Sequence, residues 1–170
     1  MRLFVVAIAT SAFLATGAMA ADITMPAPTI VAPPPPPPAP AFSWNRAYVG
    51  VYAGSWITCC GVTGGVFAGK NFELGDRFVI GVEGMAGAYA GPTFEAYLLA
   101  RAGLLLGSRV LIYGGIGAGW DAVFVLAAQA GIEVALGQSL SLRLQGLFWD
   151  PFGILDYAIH GGLAWHFGGR

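Results

Sequence analysis

Along most of the chain after residue 46, apolar residues alternate with residues that are small or polar. In the segment 139–148, for example, Ser141, Arg143 and Gln145 alternate with leucines. Successive side chains of a β-strand point to opposite faces, so this alternation predicts strands with one apolar face. We predict eight of them, at residues 46–56, 63–74, 77–88, 93–106, 109–120, 123–136, 139–148 and 154–167.

Charged residues within these segments fall almost entirely on the face that is small or polar. Lys70 is the exception, and it lies near a strand end, where a long side chain can reach lipid headgroups. No segment after Ala47 is an uninterrupted apolar stretch of about 20 residues, as a spanning helix requires. A polar inner face and an apolar outer face are typical of a barrel that crosses a membrane. The inward charges form a predicted lumen cluster of Glu83, Glu95, Arg101, Glu133 and Arg143.

Three short glycine turns repeat along the predicted barrel. Gly75, Gly107 and Gly137 each follow a leucine, in LGDR, LGSR and LGQS, and we interpret them as tight turns of one design. Each interval between them is long enough for two strands and an opposite loop. The predicted fold class is therefore all-β: an eight-stranded antiparallel transmembrane β-barrel with both termini on the side of these turns.

The N-terminal part of the chain differs in composition from the barrel segments. Residues 1–20 combine an arginine, an apolar stretch and the small residues AMA, which predicts a signal peptide cleaved after Ala20. Residues 21–42 include six consecutive prolines, which favour extended polyproline II and predict a stiff periplasmic linker. The barrel domain is predicted to span residues 43–170.

The composition agrees with a membrane protein and argues against nucleic-acid binding. The chain has 170 residues, of which 56% are hydrophobic and 10% charged, with a formal net charge of −1. Average soluble domains are roughly 25% charged. The sequence contains no basic run, so we expect membrane lipids and no nucleic acid as partners.

One glycine-rich stretch, RVLIYGGIGAGW at 109–120, has features of a nucleotide-binding turn. Gly115 and Gly117 fit the first two positions of a G-x-G-x-x-G fingerprint, but the third position is Trp120. Since the alternation of the neighbouring segments continues through this stretch, we predict a strand and no cofactor.

The sequence predicts neither a catalytic site nor a metal site. HGG at 160–162 has no G-x-S-x-G nucleophile elbow to accompany it. His160 and His166 are six residues apart on one strand, about 20 Å at 3.3 Å per residue, which is too far to share a metal. The barrel serines are expected to lie near strand ends without a histidine partner: Ser55, Ser108, Ser139 and Ser141. We therefore expect a protein that is not an enzyme.

Opposite charges in the lumen are expected to pair, because a buried charge is retained when it finds a partner. We pair Arg101 with Glu83, and Arg143 with Glu133. Eight strands leave an interior that side chains can fill. A salt-bridged plug is our first interpretation, and a narrow path for ions or water is the alternative.

Aromatic residues lie near several of the predicted strand ends. Such residues form girdles at the two membrane interfaces of transmembrane barrels. We therefore predict interfacial positions for Trp56, Trp120, Phe148, Tyr157, Trp165 and Phe167.

The only two cysteines, Cys59 and Cys60, are adjacent in the first loop opposite the glycine turns. Disulfides persist in exported proteins. The pair forms a vicinal disulfide, remains as free thiols or bridges two molecules, and the sequence leaves these three alternatives open.

Five stretches of the chain resemble one known family. FSWNRAYVGVYAGSW at 42–56 and GGVFAGKNFELGDRFVIGVEG at 64–84 resemble the first strand and second hairpin of small alphaproteobacterial outer-membrane β-barrel proteins. ARAGLLLGSRVLIYGGIGAG, AGIEVALGQSLSLRLQGLF and the closing LAWHF are similar to the later strands of that family. The family is related in shape to opacity and OmpA-type barrels.

The resemblance implies a porin-like or surface protein of the outer membrane, surrounded by outer-membrane lipids and inserted by the barrel-assembly machinery. The external loops are shorter than is usual in the family, which weakens a role in adhesion. Our first hypothesis is a non-enzymatic structural or surface role in the cell envelope. A narrow pore for small solutes or ions is the second hypothesis, and a lipid-modifying barrel enzyme is the third.

Overall fold

The computed structural model describes residues 42–57, 61–89, 93–150 and 156–168. These residues form eight strands: β1 Ala47–Trp56, β2 Gly61–Leu74, β3 Phe78–Tyr89, β4 Thr93–Leu106, β5 Val110–Asp121, β6 Val123–Ala135, β7 Leu140–Trp149 and β8 Asp156–Phe167. Every predicted strand is present, and its ends agree with the prediction to within two residues. The predicted signal peptide, the linker up to Ala41, and Cys59 and Cys60 lie outside the described residues.

The strands form one closed antiparallel barrel. Each strand pairs with the next along the chain, and β1 pairs with β8 to close the sheet. Closure gives every strand a hydrogen-bonding partner on both sides and leaves no edge. The predicted fold class is therefore confirmed. In the part of the chain that the structure describes, no helix is long and apolar enough to cross a membrane.

The two ends of the barrel differ in their connections. The turn end carries the links from β2 to β3, β4 to β5 and β6 to β7, and the loop end carries the other four. Gly75 and Gly107 have φ angles of +66° and +68°, a left-handed backbone that glycine adopts without strain. The third link, 136–139, is one residue longer, and Gly137 is not left-handed. The prediction that all three turns share one design is therefore wrong, because the longer link reverses the chain without a left-handed glycine there.

The alternation of faces predicted from the sequence is confirmed along the strands. Val82, Leu98 and Phe124 point outward and are 54%, 70% and 73% exposed, whereas Glu83 and Leu99 point inward and are fully buried. Outward apolar side chains give the barrel a surface that suits contact with membrane hydrocarbon. The glycine-rich stretch that has features of a nucleotide-binding turn lies in β5, as predicted.

Aromatic residues divide between the outer surface and the interior. Trp120, Trp165 and Phe167 point outward near strand ends and are about half exposed, as predicted. Trp56 is only 2% exposed, because even-numbered residues of β1 face inward. The prediction of an interfacial position for Trp56 is therefore wrong. The other two predicted girdle residues are half-buried, with ring centroids 6.3 Å apart: Phe148 and Tyr157.

Replacing Val82 by arginine should destabilise the barrel by about 2–4 kcal/mol. Val82 lies near the middle of β3 and points outward, so the substitution would place a charge in hydrocarbon. Urea unfolding in phospholipid bilayers, followed by tryptophan fluorescence, measures the change. The matched control Val82→Leu keeps the site apolar and should cost less than about 1.5 kcal/mol. Equal stability of the two variants would contradict contact of Val82 with membrane hydrocarbon.

Candidate functional site

Four of the predicted lumen charges meet in one buried group. Glu83 on β3, Arg101 on β4, Glu133 on β6 and Arg143 on β7 form this group, which we call the ionic network. Arg101 donates from Nη1 to Glu83 Oε2 at 2.9 Å and from Nη2 to Glu133 Oε2 at 3.1 Å. Arg143 Nη2 lies 2.7 Å from Glu83 Oε2 and 3.5 Å from Glu133 Oε2. Each arginine therefore contacts both glutamates.

Both arginine–glutamate pairs expected from the sequence are present, but each is part of this crossed arrangement. The side chains are almost completely buried, and two positive charges balance two negative charges. Tyr48 adds to the network because its hydroxyl donates to Glu83 Oε2 at 2.7 Å and accepts from Arg101 Nη1 at 2.7 Å. Balanced charge favours burial of the four ions. Their hydrogen bonding is incomplete, because Glu83 Oε1 and Arg143 Nε and Nη1 have no partner among the described residues.

An aromatic ring packs against each of the two guanidinium groups of the ionic network. The Arg101 guanidinium carbon lies 3.9 Å from the centroid of the Tyr113 ring, and that of Arg143 lies 4.0 Å from the centroid of Phe67. A guanidinium group is attracted to an aromatic face and packs flat against it. The rings therefore restrict the arginine side chains and fill the bore around them.

Ser141 contacts a histidine, and the sequence-based expectation that it would not is wrong. Ser141 Oγ lies 2.8 Å from His166 Nε2 and donates to Glu133 Oε1 at 2.6 Å. His166 Nε2 is itself 3.1 Å from Glu133 Oε1. Ser141 and His166 meet through the pairing of β7 with β8, which the positions of the two residues in the sequence do not reveal.

These three residues do not have the arrangement of a Ser–His–acid catalytic triad. In such a triad the serine contacts one ring nitrogen of the histidine and the carboxylate contacts the other. Here Ser141 and Glu133 share Nε2 of His166, and Nδ1 has no partner among the described residues. Ser141 is also fully buried. The geometry therefore extends the ionic network toward the turn end and does not activate the serine.

The described chain begins with a segment that covers the turn end of the barrel. We call residues 42–46 the N-terminal cap. Trp44 is 1% exposed, and its Nε1 donates to the carbonyl of Ser108 at 3.3 Å. Phe42 packs edge-on against Trp44 and His166, with ring centroids 4.7 and 4.9 Å apart. Phe42, at the predicted boundary between linker and barrel, therefore packs with the barrel.

Glu95 lies apart from the ionic network, in the loop-end half of the interior. It precedes Arg101 by six residues on β4, about 20 Å along a strand. Its carboxylate accepts four hydrogen bonds of 2.7 to 3.4 Å from neutral groups: Tyr52 OH, Trp56 Nε1, Thr63 Oγ1 and Tyr97 OH. The five predicted lumen charges thus divide into a network of four and an isolated glutamate.

The two histidines occupy different halves of the interior. His166 joins the ionic network, whereas the ring of His160 packs 4.7 Å from that of Tyr52 in the loop-end half. Neither ring nitrogen of His160 has a partner among the described residues. Within the same residues, no group of three or more His, Cys, Asp or Glu side chains is placed to hold a metal ion.

No protein-family model and no curated protein matches the chain. A barrel from the de novo design of transmembrane β-barrels is 16% identical, with a TM-score of 0.51, over 75% of this chain and 99% of that chain. The N-terminal β-barrel domain of Pseudomonas aeruginosa OprF is 9% identical, with a TM-score of 0.51, over 72% and 98%. Ail, the attachment invasion locus protein of Yersinia pestis, is 11% identical, with a TM-score of 0.52, over 72% and 97%.

The fold is that of an outer-membrane β-barrel. At these identities the likeness extends to the fold alone. Side chains can fill the interior of an eight-stranded barrel, and in this one the ionic network and the N-terminal cap occupy the turn-end half.

Proposed function

We propose that this protein is a non-enzymatic component of the cell envelope, with a closed barrel and a structural or surface role. The observation that carries the proposal is the contact of 2.7 Å between Arg143 Nη2 and Glu83 Oε2. Arg143 is on β7 and Glu83 on β3, four strands apart in a ring of eight. The ion pair therefore joins opposite walls and crosses the bore where an ion would have to pass.

The N-terminal cap is a second barrier in series with the ion pairs. The indole of Trp44 is buried at the turn end, next to the ring of His166 at a centroid distance of 5.8 Å. A conducting path would require both displacement of this indole and separation of buried ion pairs. Separating a buried ion pair leaves each charge uncompensated in the interior, which is unfavourable, so we infer that the resting barrel is closed.

The proposal includes the family and the location of the protein. We propose that the chain belongs to the small alphaproteobacterial outer-membrane β-barrel proteins that it resembles. In this proposal it is exported by a signal peptide cleaved after Ala20 and inserted by the barrel-assembly machinery. The apolar outer surface of the strands supports outer-membrane lipids as its surroundings. The turn end, where the described chain begins at Phe42, then faces the periplasm.

Purified full-length protein in planar lipid bilayers should show no discrete channel openings. The physical reason is that side chains from opposite walls meet in the bore and the N-terminal cap covers one end. A heat-dependent shift in gel mobility establishes beforehand that each sample is a folded barrel. Discrete openings of the wild-type protein would contradict a closed barrel and favour the narrow pore.

A triple variant provides the matched comparison for this measurement. Trp44→Ala removes the indole at the turn end, and Glu83→Ala with Arg143→Ala removes the side chains that join the two walls. If this variant folds, it should conduct where the wild-type protein does not. A folded triple variant without conductance would contradict the assignment of these residues as the barriers.

A further inference from the structure

Two carboxylates lie side by side in the loop-end half of the interior. Glu95 on β4 and Asp121 on β5 are register partners, and both are inward-facing and buried, at 0% and 4% exposed. Directly opposed residues on antiparallel strands have Cβ atoms about 4.5–5.5 Å apart. Two negative charges at such a separation repel each other strongly in a medium of low dielectric constant.

The described residues place no lysine or arginine in this half of the barrel. The four acids of the loop end are Glu95, Asp121, Asp150 and Asp156. The described basic residues all belong to the turn-end half: Arg46, Lys70, Arg77, Arg101, Arg109 and Arg143. The sequences of the loop segments 58–60, 90–92 and 151–155 contain no charged residue. The loop end is therefore negative, which favours the approach of cations.

Asp121 has an acceptor atom that no described residue uses. Tyr89 donates its hydroxyl hydrogen to Asp121 Oδ1 at 2.7 Å, whereas Asp121 Oδ2 is buried without a partner in the described part of the chain. A buried carboxylate oxygen without a donor is unfavourable, because it has lost its bonds to water. A cationic donor bound at Oδ2 would remove this penalty and reduce the repulsion from Glu95.

The surrounding side chains suit an organic cation better than a metal ion. The rings of Trp56 and Trp149 lie 4.1 Å apart, and those of Tyr89 and Trp149 lie 6.4 Å apart. Tyr89 and Trp149 are partly exposed. Aromatic faces attract organic cations, whereas Ca²⁺ requires six to eight oxygen ligands. Among the described residues no third carboxylate, histidine or cysteine joins Glu95 and Asp121 to hold a metal.

We propose that the loop-end cluster of Trp56, Tyr89, Glu95, Asp121 and Trp149 binds a primary alkylammonium ion. An ammonium N–H donates to Asp121 Oδ2, and the positive charge offsets the two adjacent carboxylates. The alkyl group packs against the aromatic rings. A primary ammonium suits this position because it has three donors and no acceptor. The site is separate from the ionic network, so it does not depend on whether the bore is closed.

Titration of the folded full-length protein with n-butylammonium chloride tests the site, with sodium chloride at matched ionic strength as the reference. Trp56 and Trp149 lie in the cluster, so bound amine should give a saturable change in tryptophan fluorescence. It should also raise the thermal unfolding midpoint, because a ligand that binds only the folded state stabilises it. Sodium chloride should produce neither effect.

Two acidic residues provide matched variants for the titration. Asp121→Asn removes the charged acceptor and should weaken butylammonium binding about tenfold or more. Asp76→Asn removes the same charge from an exposed position in the turn between β2 and β3, and it should leave binding unchanged. A heat-dependent gel shift establishes that both variants are folded.

Three results would overturn the proposal. The first is an equal response of the wild-type protein to butylammonium and sodium, which needs no variant to interpret. The second is a saturable response to calcium chloride without one to butylammonium, which would indicate a metal site. The third is unchanged butylammonium binding in folded Asp121→Asn, which would place the amine elsewhere.

Discussion

Replacing Glu83 by glutamine should lower the free energy of unfolding of the barrel by about 3–5 kcal/mol. The Glu83 carboxylate accepts hydrogen bonds from Tyr48, Arg101 and Arg143. Glutamine has nearly the same shape, but it would leave two buried arginine charges opposite the single carboxylate of Glu133. One positive charge would then be uncompensated in the interior. Chemical unfolding in lipid bilayers, followed by tryptophan fluorescence, measures the effect.

The double variant Glu83→Gln with Arg143→Met is the control for charge balance. It removes one negative and one positive charge from the ionic network, so Arg101 and Glu133 remain as a pair at 3.1 Å. Its loss of stability should be smaller than the sum of the losses in the two single variants, with a coupling energy of about 0.5–3 kcal/mol. Additive losses would show that Glu83 and Arg143 do not stabilise each other.

Replacing Trp44 by alanine should also cost about 3–5 kcal/mol. The indole is buried against Phe42 and His166, and its removal leaves a cavity that opens to solvent at the turn end. The same unfolding experiment measures the loss. Exchange of the His166 ring hydrogen with deuterium, followed by NMR, should become faster in the variant because water reaches the ring.

The control for the cap is Trp44→Phe, which keeps an aromatic ring but loses the hydrogen bond from Nε1 to Ser108. It should retain most of the stability and most of the protection of His166. If alanine and phenylalanine at this position were equally stable and equally protected, Trp44 would not be the residue that covers the turn end.

The strands, and the side chains of each strand that point inward, could be predicted because a period of two residues is a local property of the chain. Glu83 lies two residues after Gly81 on β3, and Arg101 lies two residues before Gly103 on β4. Residues two apart on a strand share a face, so each charged residue faces inward together with its glycine. The error at Trp56 came from relying on its position near a strand end. The alternation from Tyr48 along β1 already placed Trp56 on the inner face.

The contacts across the interior could not be predicted, because they depend on how far each strand is shifted against its neighbour. Arg143 and Glu83 are 60 residues apart in the chain, and their contact depends on the register of all the strand pairs between them. The contact of Ser141 with His166 likewise depends on the register of β7 and β8. The turn that contains Gly137 shows how one extra residue in a link changes local geometry.

We expect the seam between β1 and β8 to be the last strand pair to form when this barrel assembles. Seven of the eight strand pairs join neighbours in the chain, but the seam pairs Ala47 with Phe167, about 120 residues away. The reason is that bringing distant residues together costs more chain entropy than closing a hairpin. Until then β1 and β8 have open edges that can pair with other chains. We therefore expect a chain truncated within β8 to retain such an edge and to be prone to aggregation.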